Sequence, residues 1–431
     1  MEGMQGNDVL VTINALLLTV SLLLNKRRSN EVRRSRRHWV RPVLRYRESE
    51  GQASTLLPRL RSRDVAWFRD FLRMPPRTFD TLLQFIQGAI TKVDTPYRKA
   101  IPASDRLALT LRFLAEGSSV RGTSFNFLVG RNTASKIISE TCEAMWSCLS
   151  KEYLSFPSTS EEWETIASDM EARWNFPNCL GSIDGKHVAI QCPPRTGSSF
   201  FNYKKTFSIV LLAVCDGRYR FTYVDLGHMG SESDGGIFAR SPLKEALENH
   251  TYGIPSGRQV GSTQQMPYFL VGDEAFPLRP YMMRPYPKRG ILQYRQKVFN
   301  YRLSRARRLI ENSFGILAAR WRILRRPFQA SVENAQRIVK ACLVLHNFLL
   351  KESPISAGTY NPPGFVDTEY TNGDVTEGAW RAQVGALQGV GDCNGIGYNA
   401  TRTAAEVRER LADYFTADGK VPWQDKHVLR A

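Results

Sequence analysis

Phe207 to Cys215 reads FSIVLLAVC, a continuous apolar run that ends at Asp216-Gly217 before a second β-rich run, Arg218 to Leu226. Asp-Gly between two such runs is among the better hairpin signals. An earlier run, Leu180 to Ile190 within CLGSIDGKHVAI, adds a strand, so the three form an antiparallel series. Ile237 to Leu247 then has helical spacing, and Tyr268 to Val271 reads as a fourth strand that ends at Gly272 and Asp273. A helix between two strands makes a right-handed crossover to a parallel neighbour. The chain is thereby committed to an α/β fold built on a mixed sheet.

That topology bears on the acids. With the first strand pointing up, the third and fourth also point up, so Asp184, Asp234 and Asp273 gather near one edge of the sheet. Glu311 arrives on a helix, beside the stripe Ile310, Phe314, Leu317, Trp321 and Leu324, and Gly315 one turn along leaves room beside its carboxylate. Carboxylates suit a hard divalent ion such as Mg²⁺, which keeps waters and binds substrate phosphates, and two such ions can cleave a phosphodiester without a protein nucleophile. Each acid also has an ordinary structural reading. Asp184 and Asp273 end strands, Asp234 caps a helix, and Glu311 pairs with Arg307 or Arg308 one turn back. Glu232 and Glu274 rank below their neighbours, and His346, after an apolar run, reads as a packed core histidine.

Upstream the pattern is helical. Residues 64 to 87 read as helix, break at Pro75-Pro76, helix, and Ser104 to Glu116 is a further helix closed by Gly117. A short helix around Phe125 to Val129, a turn at Gly130 to Asn132 and a longer helix bearing Ile138, Cys142, Met145 and Leu149 read as a helix-turn-helix. In a DNA-binding version Arg131, Asn132, Thr133, Ser135 and Lys136 face a groove. The formal charge of +18, from 59 Lys and Arg against 41 Asp and Glu, favours a polyanionic partner, nucleic acid or an anionic membrane. A basic arm from Lys26 to Arg47 holds Arg33, Arg34, Arg36 and Arg37, a phosphate-binding or nuclear-import type of cluster. Before it, Val9 to Leu24 is apolar but short for a span, which favours a buried helix over a membrane anchor. The seven cysteines show no CxxC pair and fit reduced thiols.

Taken together, GSIDGKH, GSESD, LVGDEAFPL, RRLIENSFGILAARWRIL and CLVLHNF resemble the harbinger (PIF/Harbinger) transposase-derived nucleases, over about Ser104 to Leu350. The resemblance implies a DDE endonuclease of ribonuclease H-like fold, with Asp184, Asp273 and Glu311 as the catalytic triad and Asp234 as a further acidic metal position. It implies Mg²⁺ or Mn²⁺ as cofactor, DNA as substrate, a nuclear location, and a Myb-like DNA-binding partner protein; the cytoplasm is a further location alongside the nucleus. Glu274 departs from the family pattern, which more often has a small residue there. The arginines around Glu311, namely Arg302, Arg305, Arg307, Arg308, Arg320, Arg322, Arg325 and Arg326, suit DNA phosphates. A second copy of the chain is a further candidate partner.

The expected organisation is an apolar helix and basic arm over 1–60, a helical DNA-binding region over 61–157 and a DDE nuclease domain over 175–350. A mostly flexible extension with a short helix, Ala404 to Phe415, follows over 351–431. The rival to the nuclease reading is a domesticated DNA-binding protein without turnover.

Overall fold

The computed structural model describes residues 15–23, 40–96, 98–262, 265–287, 290–352, 360–370, 372–384 and 401–429. Its centre is a five-stranded mixed sheet with helices on both faces. The strands are β1 (Cys179–Ala189), β2 (Ser208–Cys215), β3 (Phe221–Met229), β4 (Phe269–Val271) and β5 (Met282–Met283), in spatial order β3-β2-β1-β4-β5. β1 pairs antiparallel with β2 from Ser182↔Cys215 to Ala189↔Ser208, and β2 pairs antiparallel with β3. β4 runs parallel to β1, and β5 parallel to β4. The antiparallel series and the parallel fourth strand are those the sequence predicts.

Every residue of β2 is buried, and its alternation divides the core. Ile209, Leu211, Ala213 and Cys215 face one cluster, while Val210, Leu212 and Val214 face the other. The first cluster is shared with α9 (Tyr294–Arg320) and α10 (Val332–Lys351); the second with α6 (Ser160–Trp174), α7 (Asp234–Ala239) and α8 (Pro242–Glu248). The helix expected over 237–247 is thus two, divided at Ser241 because Pro242 can start a helix but not continue one. At Gly181 a register shift interrupts β1; its φ is +137° and a Cβ would stand 2.5 Å from the Cys215 carbonyl oxygen, so glycine is required.

Upstream lie α1 (Val65–Leu72), α2 (Pro76–Ile90), α3 (Ala103–Glu116), α4 (Val120–Asn126) and α5 (Arg131–Tyr153). Asp64 caps α1 by accepting from the Trp67 N–H at 3.0 Å. The short helix before the turn starts earlier than expected, and Arg131 and Asn132 open α5 rather than forming the turn. Ile138, Met145 and Leu149 of α5 belong to the same core as Ile338, Cys342 and Leu345 of α10. The helical region is therefore continuous with the sheet-bearing body.

Two expectations about the chain ends require correction. Residues 15–23, part of the proposed buried helix, are helical but exposed: Leu16, Leu17, Leu18, Leu22 and Leu23 keep 60–64 % of their surface. Among the described residues no helix is long and apolar enough to cross a membrane. The arginines at 33, 34, 36 and 37 lie outside the described residues. The described parts of the expected flexible extension, 360–370, 372–384 and 401–429, pack closely instead. Tyr360, Phe365 and Trp380, the last on α11 (Ala379–Val384), join the main core, as do Val407, Leu411 and Phe415 of α12 (Arg402–Thr416). Sparse aromatic residues in a Gly-, Asn- and Thr-rich segment conceal this at the sequence level.

Candidate active site

Asp184 lies near the middle of β1, opposite Ala213, and points to the face covered by α9. Two residues earlier on that face, the Ser182 hydroxyl donates to the Ala306 carbonyl of α9 at 2.5 Å. The helix thereby stands over the strand with Arg307 and Glu311 one turn apart beyond the contact. Asp273 follows the end of β4, the parallel neighbour of β1, and its Oδ1 accepts from the Ala275 N–H at 2.9 Å. Arg307 stands between two of these acids, with Nη2 4.0 Å from Asp273 and 3.8 Å from Glu311.

The charges of the acids act on one another. Burial pushes the Asp184 carboxyl up to about 7; Arg307 opposes the shift, and the charges of Asp273 and Glu311 add to it. Asp234 is also raised well above the carboxylate range, first by burial and then by the charges of Asp184 and Asp273. It reaches them from the other face of β1. Asp234 opens α7, and its carboxylate occupies the space a Gly185 side chain would fill, with Oδ1 1.9 Å from where a Cβ would stand. Gly185 presents the face opposite to Asp184. Asp184, Asp273 and Glu311 therefore share one side of β1, and Asp234 lies across the strand. Ser233, not Asp234, caps α7.

Whether the acids suit a divalent ion is decided by their chemistry. Three carboxylates on one face are offset by Arg307, a donor set of hard oxygens under mutual repulsion that a cation relieves. The fully buried Asp234 carboxylate has the Gly185 backbone amide beside it, which opposes the upward push of burial. In the arrangement seen, no group of three or more His, Cys, Asp or Glu side chains among the described residues is close enough to hold an ion. Binding thus requires the side chains to close and Arg307 to yield. With those movements the residues fit.

Several residues around the acids were not singled out beforehand. Lys186, half-buried, has its Nζ 5.5 Å from the Phe314 ring, and burial lowers its pKa to about 8 against the opposing pull of Asp184. His187 is held by a 2.8 Å contact to the Ser208 hydroxyl, and its ring lies 5.7 Å from that of Tyr203. Burial lowers its pKa to about 4, so it is neutral at physiological pH. The signal available was GKH directly after Asp184, which alone does not separate a site residue from a strand residue.

Other predicted positions fall elsewhere. Gly315 does not leave room beside Glu311; a Cβ there would meet the Trp380 ring at 2.4 Å, so its space is filled by the C-terminal segment. Most of the α9 arginines are internal ties. Arg302 donates to the Gly419 carbonyl at 2.9 Å, Arg305 and Arg308 pair with Glu369 at 2.8 and 3.2 Å, and Arg320 donates to the Tyr360 carbonyl at 2.6 Å. Arg308 thus has an internal acidic partner, while Arg307 faces the acids. On α5, Arg131 borders a cleft against the body. Asn132 and Lys136 are exposed, and Lys136 lies 3.7 Å from Glu140. Glu274 is exposed and Glu232 pairs with Arg240 at 2.8 Å, so neither joins the acids. His346 is fully buried between the Tyr360 hydroxyl and the Tyr219 carbonyl, at 3.0 and 2.8 Å, the core histidine expected.

Comparison with known proteins places the match over this centre. Residues 183–347 match the DDE superfamily endonuclease family. Protein ALP1-like of Arabidopsis thaliana is 27% identical over 296 residues, 67% of this chain and 72% of that protein. "Putative nuclease HARBI1" of Homo sapiens is 26% identical over 298 residues, 67% of this chain and 80% of that protein. Antagonist of like heterochromatin protein 1 of Arabidopsis thaliana is 25% identical over 296 residues, 66% of this chain and 72% of that protein. No solved structure matches the chain.

Proposed function

From a chain whose residues 183–347 belong to the DDE superfamily endonucleases, we propose a harbinger-type, transposase-derived nuclease that cleaves DNA phosphodiester bonds with divalent metal. The observation that carries the reading is the convergence of Asp184, Asp273 and Glu311 on one face, with Arg307 among them. The mixed sheet, with α9 bringing an acid to the strand that bears Asp184, supports a ribonuclease H-like fold. Mg²⁺ or Mn²⁺ would be held by Asp184, Asp273 and Glu311. A bound divalent ion supplies Lewis acidity toward a phosphate and acidifies water. Asp234 contributes its charge from across β1, and joins the ligands only by moving past Gly185. Arg307, beside Asp273 and Glu311, is placed to meet a phosphate oxygen. Lys186 adds a second positive group on the same face of β1. Water or a DNA 3′-hydroxyl is the attacking group.

The reading also takes in a nuclear location and a Myb-like protein partner, supported by the net charge of +18 and the harbinger-type motifs. The helix-turn-helix arrangement of α4 and α5 belongs to it as a DNA-contacting element, supported by the exposed Asn132 and Lys136. The full-length protein with Mg²⁺ or Mn²⁺ is expected to nick supercoiled DNA, and Asp184→Asn to abolish nicking. Equal cleavage by the variant would sink the assignment. The ion pairs of Arg307 favour one alternative, a DNA-binding protein without turnover. Metal-independent binding with no nicking on any substrate would decide for it.

A further inference from the structure

A cleft of about 750 Å³ lies between the helical region and the sheet-bearing body, apart from the acids. Phe113 of α3 and Ile138 of α5 give it an apolar floor with Ile323 and Phe328 from the segment after α9, and all four are buried. Arg121, Arg131 and Arg326 stand around it, and no Asp or Glu lines it among the described residues. Arg131 and Ser135 are one turn apart on α5 and line the same wall, with Ile138 a turn deeper. Arg121 lies 5.7 Å from the ring of Phe125, itself 63 % exposed beside the cleft-lining turn of α4.

An apolar floor favours a flat, weakly hydrated body, and a rim of guanidinium groups without a carboxylate favours a phosphate. A nucleotide combines the two: its base has a face for apolar contact, and its phosphate can accept from arginine in a bidentate manner. The volume is that of an ordinary small-ligand site. We propose that this cleft binds a nucleotide, with the base on the apolar floor and the phosphate on the arginine rim.

The source of the nucleotide is either a free mononucleotide or an unpaired residue of a DNA strand. The latter rests on the DNA-cleaving reading, whereas the nucleotide chemistry does not. Geometry connects the two sites: Ile190 bridges to Phe328, and the Gln191 N–H donates to the Phe328 carbonyl at 3.1 Å. The cleft thus meets the far end of the strand that bears Asp184. Asp184 and Gln191 are seven positions apart, roughly 23 Å of extended chain, which corresponds to about six or seven stacked nucleotide steps. DNA crossing the acids can therefore place an unpaired nucleotide in the cleft.

The test is fluorescence anisotropy of the full chain in EDTA at fixed salt, comparing a blunt duplex with the same duplex carrying a short single-stranded overhang. Thermal shift with dAMP examines the free nucleotide. The overhang is expected to improve binding roughly tenfold, the scale of one stacked base. Ala330→Trp, which fills the cleft from an exposed position after α9, should remove that gain while leaving blunt-duplex binding and the circular-dichroism spectrum unchanged. Arg131→Gln should weaken the overhang complex. A dAMP-induced rise in Tm, lost in Ala330→Trp, with no overhang advantage supports the site and assigns it to a free nucleotide. Neither effect in the wild type, or an overhang advantage that survives Ala330→Trp, overturns the proposal. Because binding is read without metal, failure of nicking and failure of this site are separate results.

Discussion

At the scale of single residues, the site is defined by an excess of negative charge. Asp184 is held up to about 7 by burial and by Asp273 and Glu311. Between the ordinary carboxylate value and about 7 the folded chain keeps a proton that the unfolded chain has released, so stability falls as pH rises through that window. Above about 7 the loss is complete. Asp184→Asn should therefore raise the metal-free Tm at pH 8 and leave it nearly unchanged at pH 4; a lower Tm for the variant at pH 8 would contradict the electrostatic account. Arg307→Gln should do the reverse, lowering metal-free stability by about 1 kcal/mol because its ion pairs are long and partly solvated. Mn²⁺ should stabilise that variant more than the wild type, since the cation replaces the missing guanidinium. Calorimetric titration checks this, and weaker Mn²⁺ binding by Arg307→Gln would refute it. The triad role came only from the harbinger resemblance, while the nearness of Asp184, Asp273 and Glu311 was legible in strand ends and a helix stripe. The side of β1 on which Asp234 sits was not, because it depends on how the loop after β3 enters α7.

At the scale of elements, α9 has two partners along its length, the sheet and the segment after residue 360. Trp380 lies on Gly315, and its indole N–H donates to Asn312 Oδ1 at 2.7 Å. Trp380→Ala should cost about 3–5 kcal/mol through the cavity it leaves, and Gly315→Ala about 1–3 kcal/mol through overpacking. In the double variant the added methyl has space, so chemical denaturation should show a cost below the sum of the two. Additive losses would mean that the two residues do not press on each other. Strands β1 to β3 were legible because their apolar runs are dense and punctuated by Asp-Gly. The arginines of α9 were misread for a physical reason: a guanidinium can be buried when carbonyls and carboxylates are brought to it, and those of Gly419 and Glu369 come from far along the chain.

At the scale of the molecule, the helical region, the sheet and the C-terminal segments share one apolar core. Neither the joining of α5 to α10 nor the return of residues 360–370, 372–384 and α12 is encoded in any local periodicity. Ending the chain at Glu352 would uncover Phe299 and Phe176, both in contact with Phe415, and strip Arg302 of its Gly419 and Gln424 partners. Such a truncation is expected to lose cooperative thermal unfolding and to bind a hydrophobic dye; a sharp transition near the full-length Tm would disprove the role given to the C-terminal segments.

Arg302 has a consequence for the timing of biogenesis. Its guanidinium lies inside the core, where it donates to the Asn175 carbonyl, and two further partners, the Gly419 carbonyl and the Gln424 side chain, are translated more than a hundred residues after it. While the ribosome is still making that stretch, Arg302 lacks those two partners, and a buried guanidinium short of acceptors is costly. The last ties of α9 to the rest of the molecule are thus set by the order in which the polypeptide is made.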